Sequence, residues 1–428
     1  MAWALFAAGL LLALLTVPAV LPLRHWAVLF PAFFVAWLGS GLAGWWLLLA
    51  PTVLAALAAG GGIDAWPGLV GLALGAVAIA GLGWQAAMAR RGSSVFDSVL
   101  TALDGRRHGR ARRRPANVVL PFWMADARVE RISDLRYADG AGHRHLLDVY
   151  RPRTGAHGAP VLLQIHGGAW MVGNKRTQGR PLMNAMALAG WVCVAPNYRL
   201  SPRSKWPDHL VDCKLALRWV HEHIAEFGGD PARVVVTGGS AGGHLAAMVA
   251  LTAGDASFQP GFENADTSVI GCAAMYGAYE LEELFSSPRP IGEWVGGRMG
   301  KLMMGVPVRG HTQQYRDASP MHRVHAGAPP FLVVHGTVDN LVPVEQARRL
   351  TTSLRSAGAQ VCYVELPGAP HAFDVFHSTW SHGAVDGVVR WLSWVVADRP
   401  PDGRANPRVE GVDTASSGPR TMAHTAPS

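Results

Sequence analysis

The 428 residues are half hydrophobic and only 16% charged, which is apolar for a soluble protein, and they leave room for one large-cored domain of about 250–300 residues plus an appended piece. The formal charge of +8 is local, because Arg90 to Arg114 holds eight arginines, at 90, 91, 106, 107, 110, 112, 113 and 114, against Asp97 and Asp104. Four scattered cysteines, Cys193, Cys213, Cys272 and Cys362, form no C-x-x-C pair and no metal-ligand spacing, so neither a redox motif nor a zinc site is encoded in them.

Three stretches without charge open the chain: Met1 to Leu23, Trp26 to Ile63, and Ala65 to Ala89. A spanning helix needs about 20 such residues. The first stretch lacks the positive n-region and the small-residue cleavage site of a secretory signal, so it reads as a retained helix. The middle stretch exceeds one span, and Pro31 and Pro51 either trim it to a single helix or divide it in two. With three helices, Arg24 falls on the cytoplasmic side, Asp64 outside and the arginine run inside, which makes everything after residue 90 cytoplasmic. A basic run directly behind apolar segments faces the anionic membrane leaflet, at about 1 kcal/mol per charge, rather than nucleic acid. Trp26, Trp45, Trp46, Trp66 and Trp84 fall near the proposed helix ends, as interfacial aromatics do. A transporter needs ionisable groups within its spans, and these stretches hold none. Residues 1–91 therefore read as an anchor and 92–116 as a basic cytoplasmic linker.

Past Pro115 short apolar runs alternate with helical patterns, the signature of an α/β domain with a mostly parallel sheet covered on both faces, here over residues 117–397. Strands are predicted at Leu146–Tyr150, Val161–His166, Trp191–Asn197, Arg233–Thr237, Ile270–Met275, Phe331–His335 and Val361–Leu366. Helices are predicted at Pro207–Phe227, Ala241–Thr252, Pro343–Ala357 and Gly383–Val396. The rhythm is interrupted from Ala253 to Pro330 except for Ile270–Met275, and within this insert residues 277–327, carrying Phe285, Trp294, Met299, Met303 and Met304, read equally as a cap over a site or as packing. Beyond Asp398 the chain is rich in Pro, Gly, Ser, Thr and Arg and reads as a disordered tail over 398–428.

The chemistry begins at Gly238-Gly239-Ser240-Ala241-Gly242, which follows an apolar strand and opens an Ala/Leu-rich helix. That is G-x-S-x-G in its strand–turn–helix setting, where small neighbours let the serine hydroxyl stand exposed on a strained turn. Alone the motif is weak. His166-Gly167-Gly168-Ala169-Trp170, after an earlier strand, adds glycines that let backbone N–H groups approach a substrate oxygen; the donors expected are Gly167, Gly168 and Ala241. A serine needs a base and the base an orienting acid. His371 and Asp339 both follow apolar strands, in the order Ser, Asp, His that belongs to this architecture. Asp374 is the fallback acid, while His335 is expected to be structural and His244 a helix residue.

These pieces, with Asn197-Tyr198-Arg199-Leu200-Ser201-Pro202 and the run from His335-Gly336 to Asp339 and Pro343, resemble the hormone-sensitive-lipase-type esterases and the related carboxylesterase and arylformamidase branch of the α/β-hydrolases. The likeness covers about Leu146 to Val396. It implies an α/β-hydrolase fold behind a transmembrane helical region, with Ser240 as acyl-enzyme nucleophile, His371 as general base and acid, Asp339 as its partner and the Gly167/Gly168 loop as oxyanion hole. Ala169 stands where many members have a third glycine, which opens the choice between ester and amide leaving groups. The reading is a carboxylesterase or lipase acting on a lipophilic ester, held to membrane lipids by its helices and arginines, without metal or organic cofactor. An amidase, arylformamidase or serine peptidase on the same fold, and a catalytically silent membrane-bound binding protein, are the alternatives.

Overall fold

The computed structural model describes residues 1–23, 29–105, 119–286 and 297–397. Arg24, Trp26, the arginines from 106 to 114, Trp294 and the tail from 398 onward lie outside the described residues.

The N-terminal region folds as four helices: α1 (Ala2–Val20), α2 (Leu29–Gly41), α3 (Ala43–Leu57) and α4 (Trp66–Asp104). A π turn at Ala58–Gly62 extends α3, with Gly61 at φ +84°, a conformation glycine adopts without strain. Three helices, α1, α3 with its π turn, and α4, are long and apolar enough to cross a membrane. At 13 residues, α2 spans roughly 20 Å and falls short of a hydrocarbon core of about 30 Å. The middle apolar stretch is thus divided at Leu42 into a short helix and a span. Backbone contact joins α1 to α4, since a Cβ at Gly9 would overlap the Gly71 backbone and one at Gly71 the Leu5 carbonyl. The absence of side chains at these positions allows this close approach.

The remaining chain builds an eight-stranded sheet. Its strands are β1 (Val129–Arg136), β2 (Leu146–Pro152), β3 (Ala159–Ile165), β4 (Val192–Pro196), β5 (Gly229–Gly239), β6 (Gly271–Met275), β7 (Phe331–Gly336) and β8 (Val361–Leu366), in the order β1-β2-β4-β3-β5-β6-β7-β8. From β4 through β8 the pairings are parallel, whereas β1–β2 and β2–β4 are antiparallel. Residues 161–165 and 234–236 are buried almost without remainder, as strands covered on both faces must be. Helices α5 (Arg180–Leu188), α6 (Asp208–His223), α7 (Ala241–Leu251), α8 (Leu281–Ser286), α9 (Gly297–Met304), α10 (Thr312–Asp317), α11 (Val344–Ser356) and α12 (Thr379–Ala397) supply the cover.

Residue 91 is no break, because α4 runs unbroken through it into the sheet's outer layer. Phe96, Val99 and Leu100 are buried in one core with Leu366 of β8 and with Trp380 and Trp391 of α12. The faces touch closely: a Cβ at Gly383 or Gly387 of α12 would overlap Ser93 or Phe96. Phe96→Ala is therefore expected to cost about 3–5 kcal/mol, read as a lowered unfolding temperature of the detergent-solubilised protein.

In the insert, Phe285, Met303 and Met304 join the core that holds Trp170. Lys205 Nζ donates to the Leu302 carbonyl at 2.8 Å, so α9 is pinned to the segment before α6.

Candidate active site

The β-branched run Val234–Val236 carries β5 through the sheet and delivers Ser240 at its carboxyl end, the edge where α/β sites collect. Ser240 takes φ 60° and ψ −125°, a strained turn for a residue with a Cβ, and α7 begins at the next position. The surrounding glycines are required by contact. A Cβ at Gly238 would overlap the Gly242 backbone, one at Gly242 the Ile165 carbonyl, and one at Gly239 the Tyr276 phenol. Gly239→Ala should cost about 1–3 kcal/mol through this overlap, measurable as a lower denaturant midpoint together with reduced labelling of Ser240.

Ser240 Oγ donates to His371 Nε2 at 2.8 Å, and His371 Nδ1 donates to Asp339 Oδ2 at 2.7 Å. The hydroxyl is partly accessible while the imidazole and carboxylate are buried. Asp339 Oδ1 accepts the amides of Leu341 and Val342, each at 2.8 Å. His335 Nε2 lies 3.2 Å from Asp339 Oδ2 and 3.0 Å from the Val342 carbonyl. Burial alone would push the Asp339 carboxyl up, but the two imidazoles beside it win and hold it well below the usual carboxylate range. The acid is thereby kept ionised and the His371 ring fixed in the tautomer whose Nε2 can accept a proton.

The loop from His166 departs in one respect from the expected donor set. The Gly167 N–H donates to Gln178 Oε1 at 2.5 Å and is not free to receive a substrate oxygen. The amides of Gly168, Ala169 and Ala241 have no protein acceptor among the described residues. Gly168 has φ +119° and Ala169 φ +52°, so the loop turns sharply in front of the serine. His166 anchors it, its ring stacked on Tyr198 at 4.3 Å and its carbonyl accepting the Tyr198 hydroxyl at 2.9 Å. Burial pulls the His166 imidazole down to about 4, so it is neutral at physiological pH.

Gln178 also donates from Nε2 to the Tyr276 hydroxyl at 2.9 Å, and Tyr276 donates to Asp374 Oδ1. Asp374 is thus committed to the phenol, and Asp339 alone of the two acids bonds to His371. Burial pushes both Tyr276 and Asp374 up, which keeps the phenol protonated as a donor. His244 sits inside α7 with Nε2 on the Ala318 carbonyl at 2.7 Å and Nδ1 accepting the Trp170 indole N–H at 3.2 Å. Gln178, Tyr276 and the His335 contact are the site residues that sequence reading missed, since no motif marks a supporting amide or phenol. Removing the amide in Gln178→Ala leaves the buried Gly167 N–H without its acceptor, a cost of about 1–3 kcal/mol. Such a loosened loop is expected to lose turnover while substrate binding changes little, a split that steady-state kinetics reads directly.

The family model BD-FAE matches residues 147–354. The match takes in the serine turn at the carboxyl end of β5 and strands β3 to β7 of the eight-stranded sheet. The fold is that of an α/β-hydrolase, and over the matched residues the sequence is similar to that family. The chain is similar to the probable carboxylic ester hydrolase LipM of Mycobacterium tuberculosis, at 45% identity over 64% of this chain and 64% of the relative. It is similar to the esterase LipQ of the same organism at 44% identity, over 62% of this chain and 63% of the relative. The chain spans just under two thirds of the length of these curated relatives. Among solved structures, the butyrate-bound esterase 2 of Thermogutta terrifontis superposes on the α/β-hydrolase domain at 28% identity and a TM-score of 0.50, covering 62% of this chain and 92% of that one.

Proposed function

We propose that this chain is a membrane-anchored serine hydrolase of carboxylic esters that forms an acyl-enzyme at Ser240. The observation that carries the reading is the Ser240–His371–Asp339 relay, with contacts of 2.8 and 2.7 Å. In this reading Ser240 Oγ attacks the ester carbonyl while its proton passes to His371 Nε2. The resulting oxyanion lies against the amides of Gly168 and Ala241, with Ala169 the adjacent donor and Gly167 excluded by Gln178. His371 then protonates the leaving alcohol, and the same imidazole draws a proton from the water that hydrolyses the acyl-enzyme. The 45% and 44% identical relatives named as ester hydrolases favour an ester over an amide.

The apolar helices are proposed as the anchor, with α1, α3 and α4 spanning. Arg90 and Arg91 follow the last apolar stretch, so the positive-inside rule sets the α/β-hydrolase domain on the cytoplasmic side. The test is to offer the purified full-length protein matched ester, anilide and formamide substrates, with a fluorophosphonate probe to report the active serine. Faster ester cleavage with label on Ser240 is expected. Preference for anilide or formamide would redirect the assignment to an amidase, and absence of both turnover and label would leave only a binding role.

A further inference from the structure

The catalytic base touches the apolar N-terminal region directly. Phe33 of α2 sets its ring edge-on to His371, with centroids 5.9 Å apart and planes at 70°. One turn on, Trp37 Nε1 donates to the Ala372 carbonyl at 3.0 Å, and its ring packs on Phe376 at 4.7 Å. Phe122 packs against the same Phe376 ring at 4.9 Å.

Depth can be read along α4. Gln85 donates to the Ala19 carbonyl, so that level of α4 is the inner end of α1. Met88, three residues further on, meets Gly368 at the start of the histidine loop. At 1.5 Å per residue the loop begins only about 5 Å past the end of the apolar spans. Around it the surface stays apolar although exposed: Phe34 is 55% exposed, Phe122 55% and Trp123 61%, with Val119 and Leu120 beside them. Aromatic side chains left outside a core at the end of a span suit the headgroup layer of a bilayer.

We propose that α2, together with Phe122 and Trp123, forms the acyl-chain wall and the lateral opening of the site, so that the substrate is a long-chain ester drawn from the membrane interface. An ester bound at Ser240 lies beside His371, and Phe33 is the apolar surface that covers this base from the membrane side. This inference rests on the ester-hydrolase reading.

It is tested on full-length protein in phosphatidylcholine–phosphatidylglycerol vesicles, assayed with p-nitrophenyl laurate and p-nitrophenyl acetate. Active sites are counted by fluorophosphonate labelling, so a poorly folded variant is recognised as such. In Phe33→Ala, and separately in a Phe122→Ser/Trp123→Ser protein, the laurate-to-acetate ratio of kcat/KM per labelled site should fall about tenfold, with partial recovery in Phe33→Leu. A ratio that stays at the wild-type value in both proteins overturns the proposal. Wild-type protein that cleaves acetate but discriminates against laurate also overturns it while leaving the hydrolase assignment standing, whereas failure on both esters removes that assignment first.

Discussion

Ser240→Ala is expected to lower kcat toward p-nitrophenyl butyrate by about four to six orders of magnitude, with little change in KM. Among the described residues the relay offers no substitute nucleophile: His371 Nε2 faces Ser240 Oγ, Gln178 is committed to the Gly167 amide and Tyr276 to Asp374. What remains in the variant is oxyanion stabilisation and binding, which in serine hydrolases leaves roughly a thousandfold or more over water. Alanine keeps the Cβ already accommodated at φ 60°, so the fold should hold. Turnover per folded molecule, with thermal unfolding as the folding control, decides it. Activity above about one per cent of wild type would remove Ser240 from the mechanism.

Asp339→Asn should cost about 10,000-fold in kcat, and the wiring around it shows why. Asp339 Oδ1 is held by the Leu341 and Val342 amides, so the carboxamide oxygen takes that place and turns its NH2 toward His371 and His335. The imidazole must then accept at Nδ1 and carry its proton on Nε2, where it can no longer receive one from the serine. A stability signature accompanies this. Burial opposes ionisation of Asp339, yet the imidazoles of His371 and His335 prevail and depress its folded-state value. A depressed carboxyl contributes stability that is fully present above its unfolded value of about 4 and is lost as pH falls through the lower folded value. The wild-type advantage in unfolding temperature over the variant should therefore hold at neutral pH and shrink in acid; an advantage that grew in acid would contradict the linkage.

The relay was legible in the sequence because each member stands at a strand end in the order the fold imposes, and glycines around Ser240 announce the elbow. Seven of the eight strands could be read for a similar reason, since buried parallel strands are unbroken apolar runs. The eighth, Val129–Arg136, alternates charges with apolar residues on an exposed antiparallel edge, and so carries no such run. The oxyanion donors were legible as a loop but not amide by amide: whether Gly167 is free depends on Gln178, a side chain brought back by a turn 11 residues later. The supporting chain from Gln178 through Tyr276 to Asp374 joins three distant segments and leaves no local pattern. Charge delimits the apolar stretches, but it does not show where along a helix the packing environment changes. Between Ala89 and Phe96 the helical period continues without interruption, and only packing against α12 distinguishes the two halves of α4.

That uninterrupted α4 has a mechanical consequence. A catalytic unit hung on a flexible tether samples every tilt above a surface and meets its substrate by chance, whereas one whose core is built around the inner end of a transmembrane rod keeps a single pose. With α4 spanning as proposed, inserting one residue near Arg91 would turn the α/β-hydrolase domain by about 100° about the helix axis, and the bilayer would act as a jig for orientation as well as a point of attachment.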